Sequence, residues 1–331
     1  MIGAHHSENR NRGRLLIALR WLAAAAVIGV LLRFLPLHLL AEAIRRVPVT
    51  TFLAIVLGYL CAHAVGIAKW RMVVNAAGAQ LDFRTSAECY AGGLFGTLFL
   101  PSIIGGDVVR LAVGLRRSPN PAAVLAGNVA DRFMDVAAQG GLVLVGLLLI
   151  PGALPASLRG QAQKVLIYVG AALAALLLFV VLLYRPLVGG RSFHFRRRLA
   201  RLRHALRSVS GAPHVLLGAW LMGTAIQTTF LLLTAKLART CGLALPLRDW
   251  FFAGPLAKLG AILPLTQGGI GVREAALVGL LSPFGATPHL VLAAGLLWEA
   301  VVISGGLVAG LGAFLLSRRE TDSAKVKNKE H

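Results

Sequence analysis

The chain has 331 residues, 57% of them hydrophobic and 14% charged, and a mean hydropathy of +0.74. These values exclude an ordinary soluble domain and mark a polytopic membrane protein. Lys and Arg number 34 against 13 Asp and Glu, a formal charge of +21. The basic residues sit between apolar runs, as the positive-inside rule requires, so the excess points to anionic headgroups and not to nucleic acid.

Residues 1–14 are polar and basic and are expected to form a disordered cytoplasmic tail ahead of one transmembrane domain, 15–316. Leu15–Leu32 is longer than the apolar core of a cleavable signal and contains Arg20, so it reads as a retained span. Arg33–Thr51 mixes apolar and basic residues and predicts an interfacial helix. Phe52–Ala68 is the second span, and Lys69-Trp70-Arg71 after it reads as an interface anchor. His63, inside that span, reads as a packed or hydrogen-bonding residue.

A broken element follows at about 86–110. Its apolar run is interrupted by Pro101 and Gly105-Gly106 and carries Asp107 and Arg110. Pro121–Ile150 predicts a long helix whose first turns carry Asp131, Arg132 and Asp135; Asp131 and Asp135 are four apart and share a face. Val165–Tyr184 is a further span. Residues 185–214 hold eight Arg and no acid, which predicts a solvated cytoplasmic loop, with anionic-lipid binding by Arg196–Arg207 as the secondary reading. Val215–Leu237 is a span, 250–279 a second broken element, and Leu290–Leu316 the last span, with Trp298-Glu299 inside it. Residues 317–331 form a charged cytoplasmic tail. Cys61, Cys89 and Cys241 suggest neither a disulfide framework nor a metal pair.

The two broken elements match each other. Leu100-Pro101, Gly105-Gly106 and Arg110 recur as Leu263-Pro264, Gly268-Gly269 and Arg273, at a constant offset of 163 positions. If both elements crossed fully, the basic 185–214 segment would lie outside. If both are re-entrant, it falls inside with both termini. The expected architecture is therefore all-α: about six full spans plus two re-entrant elements entering from opposite faces, an inverted repeat with a site near the midplane.

Charges in hydrocarbon are costly, so Asp107, Asp131, Asp135, Glu274 and Glu299, with Arg110, Arg132 and Arg273, are the candidate site; Lys258 lies in the second element. Arg110 and Arg273 suit an anionic group, most simply a phosphate, because the guanidinium presents a rigid fork of donors. The Gly pairs 105–106 and 268–269 permit close backbone approach, and helices restarting after them add dipole ends. Pro101, Pro264 and Gln267 complete the candidate set. The acids would hold the arginines between substrate visits or carry a coupling proton. The alternative is that these charges only pair with one another to lock the bundle. A transferase using Asp131 or Glu299 as base, or a scaffold for lipid synthesis, are the other classes. Because no catalytic triad, zinc spacing or phosphate loop is visible, neither a catalytic residue nor a metal or cofactor is expected, and transport is favoured over catalysis.

Phe99–Arg117, Asn128–Ala138 and Leu263–Leu277, the last with its GGIGVREAA core, resemble the transmembrane region of lysylphosphatidylglycerol synthases, a flippase-like family also called UPF0104. The resemblance spans about Leu15 to Leu316. It implies a bacterial or archaeal plasma membrane, with the bacterial inner membrane the expected location, and handling of lipid headgroups. Only a short tail follows the last expected span, so the soluble aminoacyl-transferring domain of full-length synthases and tRNA binding are not implied. Stand-alone members suggest polyprenol-phosphate glycolipids or hopanoid-type intermediates. The expected partners are an anionic lipid or lipid-linked headgroup, the membrane, and either a second copy of the chain or enzymes of a lipid pathway; nucleic acid is not among them.

Overall fold

The computed structural model describes residues 37–99, 105–149, 193–261 and 270–327, together with the isolated helical positions 160, 167, 170 and 171. Among them there are ten α-helices and no strand. They are α1 (Leu37–Arg45), α2 (Val49–Ala76), α3 (Phe83–Thr97), α4 (Gly105–Arg117), α5 (Pro121–Leu149), α6 (Phe193–Ser210), α7 (Pro213–Thr240), α8 (Leu247–Gly260), α9 (Val272–Leu281) and α10 (Pro288–Lys327). Four stretches are long and apolar enough to cross a membrane: α2, α5, α7 and Pro288–Ser317 of α10. They coincide with four of the expected spans. The other two, Leu15–Leu32 and Val165–Tyr184, lie outside the described residues apart from three helical positions in the latter.

Local chemistry sets the helix starts. Asp82 caps α3, its carboxylate accepting the Thr85 backbone N–H at 3.2 Å. Pro213 begins α7, where the missing N–H costs nothing. Each broken element is a helical hairpin: α3–α4, packed on α5 and α10, and α8–α9, packed on α5 and α10 through α8 and α9 respectively. The α3–α4 crossing is glycine-mediated. A Cβ on Gly93 would lie 2.9 Å from the Gly106 carbonyl oxygen, and one on Gly106 would lie 2.5 Å from the Gly93 carbonyl oxygen. Gly106 is therefore needed for helix–helix approach, which the ligand-contact reading of the Gly pair did not foresee.

Three further expectations are corrected. The 185–214 segment is not an open loop throughout, because 193–210 form α6. Ala205, Leu206 and Val209 are buried with Trp70, Val74 and Val124, and Leu202 packs beside them. These four apolar residues recur at helical spacing and form one stripe, which the arginines between them obscured. Lys69 and Trp70 are also not an interface anchor. They are 2% and 0% exposed, because α2 continues to Ala76 and carries both into the interior. The expected interfacial helix is shorter than 33–51: α1 buries Leu40 and Ala43 against Cys241, Leu292 and Ala293.

Candidate functional site

Helix α4 begins at Gly105, so the Gly pair is its first turn, not a spacer before it. That start places Asp107 and Arg110 one turn apart, with Arg110 Nη2 2.5 Å from Asp107 Oδ1. On α5, Asn128, Asp131, Arg132, Asp135 and Gln139 recur at helical spacing and form a polar stripe. Helix α2 delivers Lys69 from the other side. Lys69 Nζ lies 2.8 Å from Asp131 Oδ1 and also pairs with Asp135. Arg132 Nε is 3.0 Å from Asp107 Oδ2 and Arg132 Nη1 is 3.4 Å from Asp135 Oδ2. Arg110 approaches Asp131 Oδ2 at 3.8 Å, and its guanidinium lies 5.3 Å and 5.2 Å from the Trp70 and Tyr90 ring centroids. Three cations and three carboxylates thus make one neutral, interlocked cluster, the arrangement that lets charge persist away from water.

The second hairpin repeats the logic with different residues. Gly271 precedes α9 with φ +86°, a left-handed conformation that glycine adopts without strain. Its N–H donates to Glu274 Oε2 at 2.6 Å. Arg273 donates to Glu274 Oε1 at 2.7 Å, pairs with Glu299 at 3.0 Å and reaches the Gly295 carbonyl at 3.3 Å. In both hairpins, then, the arginine pairs with an acid of its own short helix and with an acid of the next long one: Asp107 and Asp131, or Glu274 and Glu299. The helix N-termini expected to meet an anion already carry Asp107 and Glu274 in their first turns, where the dipole favours negative charge.

One cavity of about 770 Å³ joins the two halves. Arg110, Arg132, Arg273, Asp107, Asp135, Glu299 and Gly106 line it. Asp131 and Glu274, both 0% exposed, sit behind that lining and hold the arginines. Gly105 is buried at the start of α4. Pro101, Pro264, Gln267, Gly268 and Gly269 lie outside the described residues. The lining also contains residues outside the candidate site expected from the sequence: Lys69, Lys258, Gln139, Gln227, Tyr59 and Tyr90. Gln139 was within reach of that reading, since it extends the polar stripe of α5 by one turn. His63 is a hydrogen-bonding residue, its Nδ1 3.3 Å from the Tyr90 hydroxyl. Phe99, Val108, Ile303 and Leu307 line the same cavity and are exposed. The described residues hold no cluster of His, Cys, Asp and Glu that suits a metal.

A cavity lined by paired charges and by apolar side chains, in a bundle of spanning helices, defines a polytopic α-helical membrane protein with an internal amphipathic chamber. Within that class, the chain belongs to the family described as Lysylphosphatidylglycerol synthase TM region, which matches residues 15–310. A stretch of 87 residues is also 34% identical to Glycosyltransferase AglD of Haloferax volcanii. It covers 24% of this chain and 14% of that protein, so the match spans a small part of the relative's length.

Proposed function

We propose that the protein moves an anionic phospholipid or an anionic lipid-linked intermediate of polyprenol-phosphate or hopanoid type between membrane leaflets. The observation that carries this reading is the amphipathic lining of the cavity: ionised and amide side chains together with the exposed apolar Phe99, Val108, Ile303 and Leu307. An amphiphile with its headgroup in the chamber and its chains in the bilayer matches that lining. The volume of about 770 Å³ falls within the range of ligand sites. The two hairpins enter from opposite leaflets of a bacterial inner membrane with both termini cytoplasmic, and the shared chamber becomes accessible from each side in turn.

Leaflet exchange in reconstituted vesicles tests this. Protein-containing vesicles should expose fluorescent phosphatidylglycerol to an external quencher faster than protein-free ones. Val108→Trp, which adds apolar bulk to the lining without touching an ion pair, should slow exchange several-fold while leaving thermal stability unchanged. Exchange no faster than in protein-free vesicles would refute the proposal.

A second reading is supported by the likeness to a glycosyltransferase: a membrane-embedded transferase or its accessory subunit. Of the two acids considered as a base, Asp131 is locked between Lys69 and Arg110, whereas Glu299 lines the cavity. Covalent turnover of a lipid by the purified protein, lost in Glu299→Gln, would favour this reading.

A further inference from the structure

We infer that Lys258, with Gln227 and Gln139 beside it, is where the cavity holds the headgroup, and that this headgroup is a phosphate ester bearing hydroxyl groups. The inference rests on the cavity being a lipid site, and it shifts the anion from the arginines to a lysine of α8.

The first argument is charge capacity. Four cations of the cavity already have carboxylates: Lys69 with Asp131 at 2.8 Å, Arg110 with Asp107 at 2.5 Å, Arg132 with Asp107 at 3.0 Å and Arg273 with Glu274 at 2.7 Å. An incoming phosphate must displace one of these acids or share its cation. Lys258 has no carboxylate partner among the described residues. Its ammonium donates to Gln227 Oε1 at 2.7 Å and lies 5.4 Å from the Phe230 ring centroid. An ammonium has three donors, so Lys258 keeps donors for an anion.

The second argument is an unmet hydrogen bond. Gln139 is 6% exposed and lines the cavity, yet its amide oxygen has no partner among the described residues. A buried polar atom left this way keeps its desolvation penalty uncompensated, a penalty that a ligand hydroxyl removes. A hydroxyl both donates and accepts, so it satisfies the amide in either orientation. Gln139, Gln227 and Lys258 also border an annex of about 90 Å³. That space is far smaller than an acyl chain needs, and Gln139, Gln227, Lys258 and Arg273 give it polar groups among apolar neighbours such as Leu231, Trp250 and Leu277. A choline group in the same place would set a cation against the ammonium and leave Gln139 without a hydroxyl.

The test is lipid binding by native mass spectrometry of the full chain. The probes are phosphatidylglycerol, phosphatidic acid and phosphatidylcholine, with thermal stability recorded for every variant. The wild type should prefer phosphatidylglycerol to phosphatidylcholine. Lys258→Gln should reduce that preference by roughly tenfold or more, the range expected for a lost hydrogen bond to a charged group, and Lys258→Arg should retain most of it. Neutralising Lys258 strands no carboxylate, so the variant should fold. Gln139→Leu, which leaves every ion pair intact, should abolish the preference for phosphatidylglycerol over phosphatidic acid but keep selection against phosphatidylcholine. An unchanged preference in Lys258→Gln, or an unchanged glycerol preference in Gln139→Leu, would overturn the inference while leaving the transport reading in place. No anionic preference in the wild type would overturn the anionic-lipid reading itself. Equal competition by soluble glycerol 3-phosphate would remove the lipid and leave the Lys258 site.

Discussion

Lys69 provides the sharpest test of the interlocked cluster. Its side chain is 3% exposed, that of Asp131 is 1% exposed, and the ammonium serves both Asp131 and Asp135. In Lys69→Met, Arg132 still faces Asp135 at 3.4 Å, but the best remaining cation for Asp131 is Arg110 at 3.8 Å. The cluster passes from three cations and three acids to two and three. Removing one partner of a buried pair costs about 3–5 kcal/mol, because the remaining charge stays in low dielectric without compensation. The remaining arginines screen Asp131 in part, so the expected loss is at the lower end, about 3 kcal/mol. Lys69→Met combined with Asp131→Asn restores neutrality and should recover at least about 1 kcal/mol, a coupling in the range found for contacting residues. Equilibrium unfolding in detergent, followed by tryptophan fluorescence, ranks the three proteins. Trp70, next in sequence and hydrogen-bonded to Asn128 at 3.1 Å, reports on this region. A single variant as stable as the wild type, or a double variant less stable than the single, would refute the reasoning.

Three further outcomes are expected. Glu274→Ala removes the acceptor of both Gly271 N–H and Arg273 and should destabilise by about 3 kcal/mol, whereas Glu274→Gln, which can still accept one bond, should cost less; unfolding curves of the two variants decide. Gly106→Ala places a methyl group 2.5 Å from the Gly93 carbonyl oxygen and should cost about 1–3 kcal/mol by forcing α3 away from α4, measured the same way. Asp82→Ala should cost about 1 kcal/mol as a lost cap. Hydrogen bonds from Thr85 hold the Asp82 carboxyl below the ordinary aspartate range. Its contribution is therefore complete above the unfolded-state pKa of about 3.9 and disappears as pH falls through the lower folded-state value; a wild-type minus Asp82→Ala stability difference that grows on acidification would contradict this.

The fold class was legible because hydropathy and charge placement follow directly from the bilayer as solvent. Both interruptions were legible for the same reason: proline and paired glycines inside an apolar run are costly unless protein covers the backbone. The Asp131–Asp135 face followed from helical spacing alone. Lys69 did not, because a lysine near the end of an apolar run looks the same whether it leads to water or to an acid, and its acids lie on another helix. Helix α6 was hidden by its own arginines: counting charge along the chain assigns a loop, while the stripe from Leu202 to Val209 is visible only when residues are read at intervals of three and four. A site shared by the two hairpins was the expectation from their matching sequences, but the state of its arginines was not legible. Sequence spacing identifies neighbours along one helix, and the pairings Arg110–Asp131 and Arg273–Glu299 run between helices.

The way charge is distributed limits how tightly such a chamber can hold an anion. An unpaired arginine facing a phosphate in low dielectric would bind strongly and release slowly, since the same weak screening that strengthens attraction raises the barrier to leaving. Here Lys69, Arg110 and Arg132 are balanced by Asp107, Asp131 and Asp135. Arg273 faces two acids, Glu274 and Glu299, and Lys258 supplies the remaining positive charge of that half. The chamber with its supporting acids is therefore close to neutral, and an anion meets one cation with spare donors surrounded by ions already committed to one another. Net attraction is then limited to what one ammonium and a few amides offer, which suits transient occupancy. The arginines shape and polarise the chamber in this arrangement, and neutralising one should damage stability before it damages affinity. Lys258 should show the reverse order.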